Sequence, residues 1–335
     1  MRKPYYLFNP GRLERQDNTL KFTPRDEEGR EGQPRFLPIE GVDALYVFGA
    51  LDANSALYNF LGKAQISVHF FDWYEHYTGS FMPKDYLLAG KVQVEQVRAY
   101  SSKARRLVLA QQLVEGAAAN MQRVLGYYGN RGISALSPIL ADIGRLAEGI
   151  GSAADVAALM GIEGNIRQAY YGGFDHVLKD FEMGLRSKRP PRNEVNALIS
   201  FGNMMCYTAC LDQIYHTQLN PTVSFLHEPG FRRYSLALDI SEIFKPILVD
   251  RLIFSMLNKR EIQDSDFRYD LNRCVLKESA GKKFAKAWDE RLKETIQHRV
   301  LKKSVSYKTL IRLECYKIQK YIVEGIPYKP FKMWW

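Results

Sequence analysis

The sequence predicts an α+β protein, with a small N-terminal β-rich, sandwich-like domain followed by a large all-α domain. Three observations carry that expectation. The first 85 or so residues are short aromatic or β-branched runs cut by Gly, Pro and Asn-Pro. After Pro83, apolar residues recur at spacings of three and four over long stretches. A chain of 335 residues, 46% hydrophobic and 25% charged, is long and apolar enough to bury more than one core. The expected boundaries are 1–86 for a β-rich domain, 87–95 for a linker and helix start, and 96–335 for the helical domain.

Taken in order, residues 5–8, 20–22, 44–48, 66–71 and 76–81 read as strands. Asn54 reads as the N-cap of a helix over 55–63, with Leu57, Phe60 and Leu61 on one face. The charged, Gly- and Pro-bearing stretch 25–38 reads as a loop. From 91 to 128, Val94, Val97, Leu107, Ala110, Val114, Ala117, Met121 and Leu125 predict one long amphipathic helix. Helical patterning continues through 138–187, 193–218, 235–258 and 279–323. It breaks at Gly172-Gly173, Pro190-Pro191, Asn220-Pro221 and His227-Glu-Pro-Gly230.

Several function classes are excluded early. No apolar run reaches membrane-spanning length; the best, 197–211, is interrupted by Ser200, Asn203 and Thr208. The basic start lacks an apolar segment, so no signal peptide is expected. Cys206, Cys210, Cys274 and Cys315 form neither a disulfide framework nor a C-x-x-C clip, and read as buried thiols of a cytoplasmic protein. No P-loop, G-x-G-x-x-G, G-x-S-x-G or H-E-x-x-H motif occurs.

Charge is unevenly placed. The net charge is +10, and residues 281–335 hold 14 basic against 5 acidic side chains, so nearly all the excess lies there. Such a cluster suits a polyanion, by counterion release, or is a solvated face; charge alone leaves both open.

Four residues stand out as candidate chemistry. Glu163 lies between Gly161 and Gly164, where small neighbours let a ligand approach, although pairing with Arg167 at i+4 explains it as well. His227 ends the apolar run Val-Ser-Phe-Leu before a Glu-Pro-Gly turn, as a functional or a capping histidine. Asp239 and Glu242, three apart among Leu238, Ile240 and Ile243, fall on one side of a packed helix. There they repel unless a cation lies between them.

The combined pattern resembles the CRISPR-associated integrase, the larger subunit of the spacer-acquisition complex of prokaryotic adaptive immunity. The residues that carry the resemblance run nearly the whole chain. They are the aromatic start with Ile66-Ser-Val-His-Phe-Phe-Asp72, and Glu163 followed by Asn165, Ile166 and Arg167. Further on come Arg189-Pro-Pro-x-x-x-x-Asn-Ala-Leu-Ile-Ser-Phe-Gly202, Phe225-Leu-His227 and Ser235-Leu-x-x-Asp-Ile-Ser-Glu-Ile-Phe-Lys-Pro246. Lys245 departs from the arginine that many members carry before the proline.

The resemblance implies metal ligands at Glu163, His227 and Glu242, with Asp239 as the accompanying acid. It implies a metal-dependent endonuclease/integrase that joins the 3′-OH of a short DNA fragment to the CRISPR repeat by transesterification. Double-stranded DNA, a homodimeric arrangement and a small adaptation partner protein come with it. Two carboxylates and an imidazole suit Mg²⁺ or Mn²⁺, and no thiolate favours zinc. The expected DNA contacts are Arg167, Lys245, Lys282, Lys283, Lys286, Arg291, Lys293, Arg299, Lys302 and Lys303, with Tyr307, Tyr316 and Tyr321 packing or stacking among them. The end of the chain, from Pro330 to Trp335, reads as a packing or partner-docking segment. A branched-DNA nuclease using water as nucleophile, and a non-catalytic DNA-binding architectural subunit, are the alternatives.

Overall fold

The computed structural model describes residues 2–26, 28–84, 89–231, 233–270 and 273–334. They divide into two compact units, Met1–Tyr86 and Leu87–Trp335. Residues 87 and 88 of the expected linker lie outside the described residues, and from Gly90 the chain is helical.

The first unit holds two four-stranded sheets and one helix. Its strands are β1 (Lys3–Leu7), β2 (Gly11–Gln16), β3 (Thr19–Pro24), β4 (Arg35–Pro38), β5 (Val42–Val47), β6 (Leu51–Asp52), β7 (Ser67–Phe71) and β8 (Tyr77–Phe81). Helix α1 (Ser55–Lys63) crosses between β5 and β7, which are parallel. One sheet runs β1-β5-β7-β8 and the other β4-β3-β2-β6. A single core joins them, with Leu7, Leu45, Val47 and Val68 from the first sheet, Leu13, Leu20 and Phe22 from the second, and Leu57 and Leu61 from α1. Asn54 caps α1 as expected, its side chain accepting from the Leu57 backbone N–H at 3.0 Å.

Three strands of this unit, β2, β4 and the two-residue β6, escape sequence reading, the first two for identifiable reasons. In β2 only Leu13 and Gly11 turn inward while Arg12, Arg15 and Gln16 face out, so no apolar run exists. Strand β4 falls inside the stretch 25–38 expected to be loop, and pairs as an edge with β3. The β2–β3 hairpin turns on Asp17, at φ +53°, a left-handed value that Asp tolerates better than most residues.

The second unit is helical with two small hairpins. Its first helices are α2 (Gly90–Ser101), α3 (Lys103–Gly129), α4 (Leu136–Glu148), α5 (Val156–Gly172), α6 (Phe174–Val177) and α7 (Glu194–Tyr215). Next come α8 (Ser235–Lys245), a π-helical turn over Pro246–Asp250, and α9 (Arg251–Asn258). A hairpin of β9 (Phe267–Asp270) and β10 (Arg273–Leu276) precedes α10 (Glu278–Lys293). A second hairpin, β11 (Thr295–Gln297) with β12 (Ser304–Ser306), precedes α11 (Tyr307–Glu324).

Three expectations are corrected here. The helix expected over 91–128 is two helices, because Ser102 adopts an extended conformation and its hydroxyl caps α3 at the Arg105 N–H. The run 279–323 is α10 and α11 separated by a hairpin. The unit is therefore mainly, not wholly, α.

Helix α7 is apolar on every side, with Leu198, Ile199, Phe201, Met205, Cys206, Cys210 and Ile214 all buried, and forms the centre of the unit. Fully burying each large apolar chain there contributes about 1.5–3 kcal/mol. At Gly202 an added Cβ would lie 2.4 Å from Val249, so only glycine lets the π-helical turn approach α7. Helix α3 packs against both α5 and α8 and is the common strut of the candidate site. Its buried Asn120 donates to the carbonyls of Ile243 (2.8 Å) and Phe331 (3.1 Å) and accepts from the Met333 N–H. Tyr328, Phe331 and Met333 are buried, so the segment from Pro330 is a packing element as far as Trp334; Trp335 lies outside the described residues.

Candidate active site

Glu163 sits midway along α5, whose start is fixed by Asp155 accepting from the Ala158 N–H at 2.8 Å. Leu159, Ile166 and Tyr170 bury one face of that helix. At Gly161 and Gly164 an added Cβ would meet no atom within 4 Å, so open space flanks Glu163, as the sequence suggests. Glu242 lies on α8, 79 positions further along the chain, and is almost wholly buried.

One guanidinium joins the two acids. Arg167 Nε donates to Glu163 Oε1 at 2.7 Å, and Arg167 Nη2 donates to both Glu163 Oε1 and Glu242 Oε2. Lys245 Nζ donates to the other Glu242 oxygen at 2.6 Å. The i+4 pairing of Glu163 with Arg167 is thus real, and it does not exclude the functional reading, because the same cation gathers Glu242. Burial opposes the charge of Glu242, but Arg167, Lys245 and His227 outweigh it and hold its carboxyl down at about 2.

His227 is placed by Asp239. Asp239 Oδ2 accepts from the backbone N–H of Phe225 (2.7 Å) and Leu226 (2.9 Å), and Oδ1 from that of His227 (2.9 Å). The same Oδ1 lies 2.8 Å from His227 Nδ1. A carboxylate offers only lone pairs, so Nδ1 carries the hydrogen and Nε2 is left as the donor nitrogen for a ligand. Burial works against the imidazolium, but the hydrogen bond and charge of Asp239, with Glu242 behind it, raise the pKa of His227 above its ordinary value. Asp239, fully buried and engaged on both oxygens, orients the histidine loop.

A second set of contacts holds that loop and was invisible in the sequence. Arg106 Nε donates to the Phe225 carbonyl at 2.9 Å and Arg106 Nη2 to Glu228 at 2.6 Å, while the Tyr100 hydroxyl donates to Glu228 at 3.0 Å. Nothing distinguishes Arg106 in sequence from the exposed arginines around it.

Behind the acids lies a further polar cluster. The Tyr170 hydroxyl donates to Asp250 Oδ2 at 3.1 Å, and burial pushes the Asp250 carboxyl up to about 7. Arg186 reaches Asn196 (2.9 Å) and Ser200 (3.2 Å). Partial burial, then the neighbouring Arg186, Arg167 and Lys245, hold the Lys188 ammonium below its ordinary value. Arg167, Lys245 and Lys188 therefore lie within electrostatic reach of Glu242, with Arg186 beside them. Tyr170, seven positions after Glu163, and Asp250, set with Arg251 in an otherwise apolar run, were the available signals.

The basic C-terminal stretch is less uniform than the sequence implies. Lys282 pairs with Glu278, Lys283 with Asp266 and Lys293 with Asp289. Arg291, among the expected DNA contacts, is engaged within the fold. Its guanidinium is largely buried, donates to the Ile247 carbonyl at 3.0 Å, pairs with Glu294 and lies over the Tyr307 ring, which makes it a clamp on the π-helical turn. Arg299 stacks over Trp334. Lys286, Lys302 and Lys303 remain exposed with no ion pair among the described residues. Tyr307 is buried, and Tyr316 is exposed.

Among the described residues, no group of three or more His, Cys, Asp or Glu side chains is gathered as a metal cluster. The donor set nevertheless fits a hard divalent cation. Two carboxylate oxygens address one cationic nitrogen, Arg167 Nη2, and His227 stands within electrostatic reach of Glu242.

The fold and the sequence relatives place the chain among the CRISPR-associated proteins. The family model for "CRISPR associated protein Cas1" matches residues 5–290. The chain belongs to that family. It is 46% identical over 332 residues to a "CRISPR-associated endonuclease Cas1 3" of Thermodesulfovibrio yellowstonii, covering 99% of both chains. It is 44% identical to a "CRISPR-associated endonuclease Cas1 2" of Moorella thermoacetica, covering 99% of this chain and 100% of that one. The solved structure of a CAS1 protein from Thermotoga maritima superposes with a TM-score of 0.85 at 33% identity, over 98% of this chain and 100% of that one. No helix among the described residues is long and apolar enough to cross a membrane.

Proposed function

We propose that this chain is a metal-dependent DNA endonuclease/integrase of CRISPR adaptation, which joins the 3′-OH ends of short DNA fragments to the CRISPR repeat. The observation that carries this reading is the convergence of Glu163 and Glu242, from helices far apart in sequence, on one cationic point beside an oriented histidine. Family membership supports the CRISPR setting.

Glu163, Glu242 and His227 Nε2 would hold Mg²⁺ or Mn²⁺. Bound there, the ion would supply polarisation of a phosphate oxygen and a lower pKa for the attacking hydroxyl. The protein's part is positional. Asp239 fixes the imidazole tautomer, Arg106 and Tyr100 fix the loop that carries it, and Lys188, Arg186 and Lys245 provide positive potential for a phosphodiester. In the reaction the fragment's 3′-oxygen bonds to phosphorus and the bond from that phosphorus to the repeat strand's oxygen breaks. The attacking hydroxyl gives its proton to solvent, and the released oxygen takes one up. One phosphodiester replaces another, so no ATP is required. Water in place of the 3′-OH gives hydrolysis with the same residues, and the names of the curated relatives favour testing that outcome beside the first. The assembly proposed is a homodimer paired through the β-rich unit, acting on double-stranded DNA with a small CRISPR adaptation partner.

The test is a strand-transfer assay on a repeat-bearing supercoiled plasmid with labelled 3′-OH duplexes, Mg²⁺ or Mn²⁺ and the small partner. Label joined to plasmid by wild type and lost in His227→Ala is the expected result. Cut plasmid without joined label would replace the integrase by the nuclease. Salt-sensitive DNA binding with neither product would leave only an architectural role.

A further inference from the structure

Arg167 holds an unusual position. It is a largely buried cation at the point where a buried carboxylate, Glu242, meets a partly buried one, Glu163, and the same Nη2 serves both. Glu163 is 14% exposed, Glu242 8% and Arg167 16%, so solvent screens this triad weakly. Two carboxylates that close repel each other unless a positive charge lies between them. The guanidinium supplies that charge, and its donors cover Glu163 Oε1 and Glu242 Oε2, the oxygens through which one cation can bridge the two acids. It is also crowded from behind, since Lys188 lies within electrostatic reach of Arg167, Arg186 and Lys245 together.

We infer that Arg167 is the resident counter-cation of Glu163 and Glu242, that a divalent metal ion displaces it, and that the displaced guanidinium then serves the substrate phosphate. This rests on the metal site proposed above. The exchange follows from charge. A doubly charged ion satisfies both carboxylates more fully than one guanidinium, while a planar guanidinium matches phosphate oxygens in a two-pronged geometry. Metal binding and DNA binding then become linked, each strengthening the other by the same factor. Arg167 acts as a positioning residue in the metal-free protein and as a phosphate contact in the loaded one.

The experiment measures Mn²⁺ binding to the full chain by electron paramagnetic resonance, for wild type, Arg167→Gln and Arg167→Lys. Removing the competing charge should tighten Mn²⁺ binding by about tenfold or more in Arg167→Gln, with Arg167→Lys between it and wild type. In the same proteins, Mn²⁺ should raise the affinity for a fluorescein-labelled duplex in wild type and do so less in Arg167→Gln. Without metal, Arg167→Gln should melt below wild type, and Mn²⁺ should close much of that gap. Mn²⁺ binding that is unchanged or weaker in Arg167→Gln overturns the inference. Controls with Glu163→Gln, Glu242→Gln and His227→Ala separate the two claims. If those variants bind Mn²⁺ as wild type does, the proposed metal site fails; if they lose it while Arg167→Gln does not gain, only the exchange fails.

Discussion

Asp239 Oδ1 receives both the backbone N–H of His227 at 2.9 Å and its ring Nδ1 at 2.8 Å, so one oxygen fixes the main chain and the imidazole together. Asp239→Asn keeps one acceptor and removes the charge. Carboxylates behind a ligating histidine are worth roughly 10–100-fold in metal affinity or activity. Asp239→Asn should therefore lower Mn²⁺ affinity and joining by about that range, whereas His227→Ala should abolish joining. Equal losses in Mn²⁺ titrations and strand-transfer rates would make Asp239 a direct ligand instead.

The pH dependence of joining should follow His227. Only neutral imidazole offers Nε2 to a metal, and Asp239 raises the histidine in the folded state. At limiting Mn²⁺, activity should fall as pH drops through the histidine range, ordinarily ~6.5, because protons then compete with the metal for Nε2. Stability runs the other way. The raised group contributes stability fully present below its unfolded value near ~6.5, and lost as pH rises through the folded one. Rates between pH 5.5 and 8.5 that stay level would remove His227 from the site.

Asp250 predicts an opposite signature for a carboxyl. Its folded value is pushed up to about 7 by burial, so the native state holds a proton that the unfolded chain has already released. Stability should decline as pH rises from about 4 to 7, by a few kcal/mol at most. Asp250→Asn, which still accepts from the Tyr170 hydroxyl, should flatten that decline in thermal melts and match or exceed wild type at pH 8. A wild-type profile already flat over that interval would show that Asp250 is charged in the fold.

Salt dependence should discriminate among the basic residues. Lys286, Lys302 and Lys303 are exposed without ion pairs among the described residues, whereas Lys282, Lys283 and Lys293 are paired locally. If the first three meet phosphates, changing all of them to Ala should reduce the slope of log K against log salt by nearly 3. Arg291→Ala should instead lower the melting temperature, through its contact with the Ile247 carbonyl. A triple variant with an unaltered slope would return these lysines to the solvated face.

How much of this was legible beforehand depends on the kind of interaction. The Asn54 cap, the buried α7 and the change from strands to helices follow from local pattern and were readable. Strand β2 was not, because Leu13 alone among polar neighbours gives no periodic signal. The hairpin within 279–323 was hidden by helical patterning on both sides of it. At the candidate site, Glu163, His227, Asp239 and Glu242 were singled out by context. The resemblance grouped them as one site, but the reach of Arg167 from Glu163 across to Glu242 on another helix was not readable, because it is a tertiary event. The same holds for Arg106, whose partners Phe225 and Glu228 lie 119 and 122 residues away.

The four buried cysteines have a practical consequence. Cys206, Cys210 and Cys315 are wholly buried and Cys274 nearly so, and burial raises the thiols of Cys210, Cys274 and Cys315 well above their ordinary value. Thiol reagents at neutral pH attack exposed thiolates, which these residues do not offer. A cysteine introduced at Lys302 would then be the one reactive thiol on the native background. A dye attached there could report, by energy transfer, how closely a labelled duplex approaches the tip of the β11–β12 hairpin.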